Sequence, residues 1–440
     1  MNKIHRLGAV AVASTFVLGL SACGSSGSDA SGSGEITYWA TNQGESLDHD
    51  REVLTESLDR FTEETGVKVN LEVIPWTDMY NRILTAVTSG DGPDVLNIGN
   101  TWAVTLQETG AFEPVEGDLL EAIGGRDRFV GSSWATAGAE GKPPTSVPLY
   151  SQAYSLYYNT ALFEEAGIDG PPETWDEFVD TAKQLTKDTD GDGKIDQWGI
   201  STEAGAVTNG AHHSFIWGKQ NGGAMFDAEG KSTFNAEGQI DGVNQWVELM
   251  GTHKVMSPSD AEMTTGADAI ANLIDGRAAM VMNQNPVKNF KARDFTDWAV
   301  APMPLVDPAA VGDEAVMSFA AGSNVSVFKN SDNKEAAYQL VAHLTDTEEQ
   351  VYLNDSYTSL PTVKDAYEAE EFQDESAKLK EKTLADHAQP MPLVAQEGQM
   401  ETLVGTAVKN LFAQAATGTV TRADVERALT DANNQMAAAQ

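Results

Sequence analysis

Two hydrophobic periods alternate along the first third of this chain. Ile36-Thr37-Tyr38-Trp39 is a short β-favouring run, and Val53, Leu54, Ser57, Leu58 and Phe61 then recur at helical spacing until Gly66 ends the pattern. Val67, Val69, Leu71 and Val73 alternate with polar residues, which predicts a strand. Tyr80, Ile83, Leu84 and Val87 predict a second helix closed by Ser89-Gly90, and the apolar run after Pro93 predicts a buried strand over residues 94–98. The order β-α-β-α-β implies a largely parallel sheet with helices on its faces. Further on, residues 147–152 lead into a β-rich run at 153–158. Trp175, Phe178, Val179, Ala182 and Leu185 then share one helical face behind Thr174 and Glu177, which are spaced as a capping box. Residues 240–250, 267–275, 335–344 and 403–415 have helical patterns, and 278–282 reads as a strand. No long linker or internal repeat interrupts the series.

The two ends of this pattern differ in kind. Residues 7–20 are mostly apolar behind Lys3 and Arg6, too short a run to span ~30 Å of hydrocarbon, and Leu20-Ser21-Ala22-Cys23 follows as a lipobox-like site. Residues 1–22 are therefore expected to be a lipoprotein signal peptide, with Cys23 as the lipid-bearing N-terminus. The alternative is an ordinary secreted protein with a chance cysteine near its cleavage site. Residues 23–34, rich in Gly and Ser, would form a tether. About 405 residues remain, enough for two lobes. With 28 basic against 66 acidic residues and a net charge of −38, the chain is not expected to bind nucleic acid or anionic headgroups directly.

Ligands of such sheets settle beyond the carboxyl ends of the strands. There the chain carries Ala40-Thr41-Asn42-Gln43-Gly44 and Gly99-Asn100-Thr101-Trp102, loops of amides and aromatics with neither a nucleophile and base nor a phosphate-binding glycine pattern. Asp188, Asp190, Asp192 and Asp196 occupy positions 1, 3, 5 and 9 of an EF-hand-like loop, with Gly193 at 6 and the carbonyl of Lys194 at 7. Gly199 stands at position 12, where a bidentate Glu is usual. The expected occupant is a structural Ca2+; the alternative is a solvated acidic turn. The adjacent His212 and His213 cannot share the helical face that paired zinc ligands need, and no catalytic constellation stands out.

The stretches GDGPDVLNIGNTW, VPLYSQAYSLYYNTALFEEAGI, PPETWDEFVDTAKQLT, GRAAMVMNQNP, SFAAGSNVSVFKNSDNKEAAYQLVAHLT and SLPTVKDAY, in this order and spacing, resemble the solute-binding proteins of carbohydrate ABC importers, the family that includes maltose-binding protein. The resemblance implies a two-lobed α/β fold, each lobe a mostly parallel sheet flanked by helices, with residues 35–151 plus 283–327 in lobe I and 152–282 plus 328–440 in lobe II. The chain should cross between them near 150–152, 282–283 and 327–329. The positions carried over as ligand contacts are Trp39, Asn42 and Gln43; Asn100, Thr101 and Trp102; Tyr150 and Gln152; Trp217, on a tryptophan loop; Asn283 and Asn285; and Phe319 to Gly322. Ala320-Ala321 stand where the family usually has two glycines. A pyranose presents a C–H face to an aromatic ring and a rim of hydroxyls to amides, so Trp39, Trp102, Tyr150 and Trp217 would be platforms and the amides the rim. Trp76, Trp134, Trp175 and Trp246 are assigned to packing.

The implied function is a lipid-anchored, monomeric binding subunit on the extracellular face of the membrane. It would pass an oligosaccharide to the transmembrane subunits of a permease, without catalysis of its own. The alternatives are a binding protein for a non-sugar solute and a surface glycan hydrolase.

Overall fold

The structure is a computed structural model and describes residues 34–438. Cys23, the expected signal peptide and the tether up to residue 33 lie outside the described residues. The strands are β1 (Glu35–Thr41), β2 (Lys68–Ile74), β3 (Val95–Gly99), β4 (Val147–Gln152), β5 (Ser155–Asn159), β6 (Trp198–Ser201), β7 (Ala278–Asn283), β8 (Trp298–Ala301), β9 (Ser318–Phe319), β10 (Ala321–Val327) and β11 (Ala388–Gln389). Two sheets organise two lobes, one in the order β2-β1-β3-β10-β4 and one in the order β6-β7-β5-β8. Both are mixed. In the first, β1 runs parallel to β2 and β3 while β10 is antiparallel to β3 and β4; in the second only β6 and β7 are parallel.

The period-2 pattern of β1 divides the first lobe into two cores. Ile36, Tyr38 and Ala40 join Val53, Leu54, Leu58 and Phe61 of the helix Leu47–Thr65 on one face. Trp39 points to the other face, where Met79 and Ile83 of the helix Trp76–Ser89 cover it. Gly66 and Gly90 close these helices at φ of 75° and 74°, the left-handed region that a Cβ disfavours. The capping box of Thr174 and Glu177 starts the helix Trp175–Leu185 in the second lobe.

Two lobe boundaries and two crossings differ from expectation. Residues 283–301 do not join lobe I: β7 passes through the helix Val287–Ala292 into β8, which pairs antiparallel with β5, from Leu156 opposite Ala301 to Asn159 opposite Trp298. Nor does the chain change lobes at 327–329. Ala337, Leu340, Val341 and Leu344 of the helix Lys334–Leu344, and Leu353 and Tyr357 of Thr347–Tyr357, complete the first lobe's core. The crossings fall between β4 and β5, between β9 and β10, and between Val363, bridged to Phe129, and the helix Glu397–Thr417.

Three helices of the second lobe, Val207–Gln220, Glu237–Gly251 and Glu397–Thr417, pack backbone to backbone through glycines. A Cβ on Gly405 would lie 2.0 Å from the Val207 carbonyl oxygen, and one on Gly242 2.4 Å from the carbonyl carbon of Trp217. No helix among the described residues is long and apolar enough to cross a membrane.

Candidate functional site

The loops after β1 and β3, the start of β10 and the second-lobe segments around 203–212, 264–270 and 283–289 enclose a cleft of about 550 Å³. Ten of the positions carried over as ligand contacts line it: Asn42, Gln43, Asn100, Thr101, Trp102, Gln152, Asn283, Asn285, Phe319 and Gly322. Several of their amides hold the protein together. Asn42 Oδ1 accepts from the backbone N–H of Trp76 at 3.1 Å and its carbonyl accepts from Trp76 Nε1 at 2.8 Å, so Asn42 caps the helix Trp76–Ser89 and aims its first side chain. Asn100 Nδ2 donates to the Ala320 carbonyl at 2.7 Å, and Asn285 Nδ2 to that of Tyr357 at 2.8 Å.

Three predicted contacts are elsewhere. Trp39 lies in the first lobe's core with the Arg82 guanidinium 4.1 Å over its ring, because strand alternation turns it away from its neighbour's face. Tyr150 is 2% exposed, edge-on to Tyr357 in the other first-lobe core. Trp217 is on no loop: it is fully buried in the helix Val207–Gln220, its ring centroid 4.7 Å from that of Trp175.

Other residues take their places. Trp76, assigned above to packing, lines the cleft with Trp102, their centroids 5.4 Å apart at 72°; Tyr80 backs Trp102 at 5.0 Å. Tyr154 replaces Tyr150 as the tyrosine at the cleft and sits with its hydroxyl 3.2 Å from His212 Nδ1. Glu203, Asn209, Lys288 and Glu401 complete the unpredicted wall. Asn209 and His212 are three residues apart on one helix, a spacing that places them on a common face. Lys288, from the second lobe, donates from Nζ to the carbonyls of Gln43 at 2.6 Å and Gly44 at 3.2 Å in the first.

Burial sets the electrostatics. It pushes the Glu203 carboxyl up to about 7 and the His213 imidazole, stacked 4.4 Å from Trp246, down to about 3. Glu397, one turn before Glu401, is held well above the usual carboxylate range by burial first and by Glu401 second. Lys288 is lowered by the same loss of water. Among the described residues lining the cleft there is no arginine and no cysteine. With two indoles and several amides facing one cleft, the arrangement suits binding a polar, ring-bearing solute.

Residues 48–351 match the family described as bacterial extracellular solute-binding proteins. The chain belongs to that family. Sequence relatives of this solute-binding protein include a Brucella abortus protein described as a binding protein (24% identical, covering 64% of this chain and 65% of the relative) and the arabinooligosaccharide-binding protein of Halalkalibacterium halodurans (27%, covering 54% and 50%). The chain thus spans between half and two thirds of the length of these two relatives. Its fold is that of two-lobed solute-binding proteins. A Thermotoga lettingae solute-binding protein bound with α-D-tagatose superposes with a TM-score of 0.75 at 22% identity, covering 92% of this chain and 99% of that one. The GacH receptor of Streptomyces glaucescens superposes at 0.74 and 20%, covering 92% and 98%.

A second candidate site of the solute-binding protein is the acidic loop. Carboxylate oxygens of Asp188, Asp190 and Asp196 converge within 4.8 Å of one another. The N–H groups of Gly193, chiefly, and Gly191 hold the Asp188 carboxyl below its ordinary value, donating at 2.7 and 2.6 Å. Gly191 and Gly193 adopt φ of 80° and 91°, as a sharp turn at loop positions 4 and 6 requires. Asp192 stands apart from the three: its Oδ1 accepts from the Lys194 N–H at 2.8 Å and its Oδ2 lies 3.5 Å from Lys194 Nζ. The three hard oxygens fit a cation of the calcium type.

Proposed function

We propose that the protein is the binding subunit of a carbohydrate importer, closing its lobes on an oligosaccharide and handing it to a membrane permease. The observation that carries this reading is the pairing of Trp76 and Trp102 in one cleft between lobes with the amides of Gln152, Asn209 and Asn283. Sugar faces pack on the rings and hydroxyls pair with the amides. Relatives and structural neighbours described as binding arabinooligosaccharide, tagatose and maltotriose support the same class. An anionic solute is disfavoured, since among the described residues lining the cleft there is no arginine and Lys288 is bonded to the carbonyls of Gln43 and Gly44. In this reading the protein is not an enzyme: it acts at the outer face of the membrane, tethered through lipid on Cys23, and ATP is consumed by another subunit.

Thermal unfolding against a panel of mono- and oligosaccharides tests the reading. A ligand that binds only the native state, at ~100 times its Kd, adds about 2.7 kcal/mol of stability. One sugar class is expected to raise the midpoint without releasing products. A panel in which only amino acids or organic acids shift it would sink the carbohydrate.

We further propose that the loop 188–196 binds structural Ca2+ through Asp188, Asp190 and Asp196 and the carbonyl of Lys194, with Asp192 turning in on binding. Millimolar calcium is expected to raise the unfolding midpoint of the wild type and leave that of Asp190→Ala, which removes the oxygen ligand, unmoved. Equal responses of the two would place any bound calcium outside this loop.

A further inference from the structure

The indole of Trp102 lies face-down on the main chain three residues before it. At Gly99, the last residue of β3, an added Cβ would meet Cδ2 of that indole at 3.0 Å, Cε2 at 3.1 Å and Cε3 at 3.4 Å. The two nearest atoms are the ring-fusion carbons, which carry no hydrogen and can be reached only from a face of the ring. Carbon atoms pack best about 3.5–4.0 Å apart, so a side chain at 99 would occupy the place where the ring rests. The backbone itself asks for no glycine there: φ is −63° and ψ 134°, extended values open to other residues.

Both partners in this contact are held. Gly99 is fixed by its sheet, where it stands opposite Ser323 of β10, and Asn100 Nδ2 ties the next residue to the Ala320 carbonyl at 2.7 Å. The indole is flanked by Tyr80, with ring centroids 5.0 Å apart, and by Trp76 at 5.4 Å. Trp76 is anchored in turn, because its main-chain and indole N–H groups both donate to Asn42. Beyond these neighbours Trp102 borders the cleft.

We propose that Gly99 is a positioning residue for the solute: it seats the Trp102 indole at the depth where a sugar ring stacks on it. A methyl at 99 lifts the indole off its seat by a few tenths of an ångström, into the space of the sugar. Binding groups have to be held within about 0.5 Å of their working geometry, so a shift of that size is felt. This deepens the carbohydrate reading and rests on it.

Two measurements on Gly99→Ala test the seat. The chain has nine tryptophans, and in protein labelled with 5-fluorotryptophan the resonance lost in Trp102→Phe identifies position 102. That resonance should move in Gly99→Ala with no sugar present. In calorimetric titrations with maltotriose, arabinotriose and xylotriose, Gly99→Ala should weaken whichever sugar binds by about 3- to 10-fold, the range of one ring contact. In a Trp102→Ala background the same methyl should change affinity by less than about 2-fold, because the group it acts through is gone. Gly170→Ala, whose Cβ has no neighbour within 4 Å, should alter neither reading. Should Gly99→Ala fail to fold, the wild type still decides: the Gly99 α protons, lying against the indole face, should resonate upfield and lose that shift in Trp102→Ala. An unmoved Trp102 resonance, an absent upfield shift, or an affinity loss that persists in full without the indole would overturn the seat and leave the carbohydrate reading standing. Silence from all three sugars would overturn the carbohydrate reading instead, and the fluorine resonance alone would then decide the seat.

Discussion

Trp102→Ala is expected to weaken binding of the cognate sugar by roughly 100-fold, about 2.7 kcal/mol, while leaving the fold intact. The indole of Trp102 is half-buried in the cleft wall, with Trp76 edge-on to it and Tyr80 behind. Removing it takes away a stacking face and leaves Trp76 unsupported, so the loss should exceed that of one ring contact, ~0.5–1.5 kcal/mol. Calorimetric titration of the variant, checked for a native circular dichroism spectrum, measures this. Trp102→Phe should recover part of the affinity. Trp39→Phe serves as the contrast, because Trp39 packs beneath Arg82 in the core and should affect stability and not affinity. Equal affinity losses in the Trp39 and Trp102 variants would show that the cleft is not where the sugar stacks.

The largest expected change in stability comes from a single methyl group. In Gly405→Ala the new Cβ would lie 2.0 Å from the Val207 carbonyl oxygen and 2.8 Å from the Val207 side chain. Backbone cannot rotate aside as a side chain can, so the helices Val207–Gln220 and Glu397–Thr417 must separate. The cost should reach the upper range of overpacking, roughly 3 kcal/mol, read as a lowered midpoint in urea. Gly170→Ala, where an added Cβ has no neighbour within 4 Å, should change stability by less than about 0.5 kcal/mol. A Gly405 variant as stable as wild type would mean that the helix pair can slide apart at little cost.

The first lobe was legible because its elements carry one pattern each. The strands of its sheet alternate or run apolar, its first helices keep a single apolar stripe, and Gly66 and Gly90 mark their ends. The helix Val207–Gln220 hid for the opposite reason. It is buried on nearly every side, so it has no polar face to set a period, and the close approach that buries it demands Gly210 and Gly218, residues that read as loop. That error carried Trp217 into the expected site. Trp39 and Tyr150 failed on facing: a loop-adjacent aromatic in a strand can point to either side, and only the covering helices decide which. The second-lobe wall was hardest to foresee. Glu203, Asn209, His212 and Glu401 come from separate segments, and their convergence exists only after the lobe is packed. The spacings Asn209 to His212 and Glu397 to Glu401 were the available signals, and each is common on ordinary helices.

Three of the bonds that join the lobes across the cleft end on the main chain. Lys288 grips the carbonyls of Gln43 and Gly44, and Asn100 reaches that of Ala320. Every residue type at position 43 or 320 offers the same oxygen. A lineage could therefore exchange the side chains at those two positions without unfastening one half from the other. The donors are another matter: Lys288 and Asn100 make these bonds with their side chains while lining the cleft, so a change at either position alters the cleft wall and the fastening together.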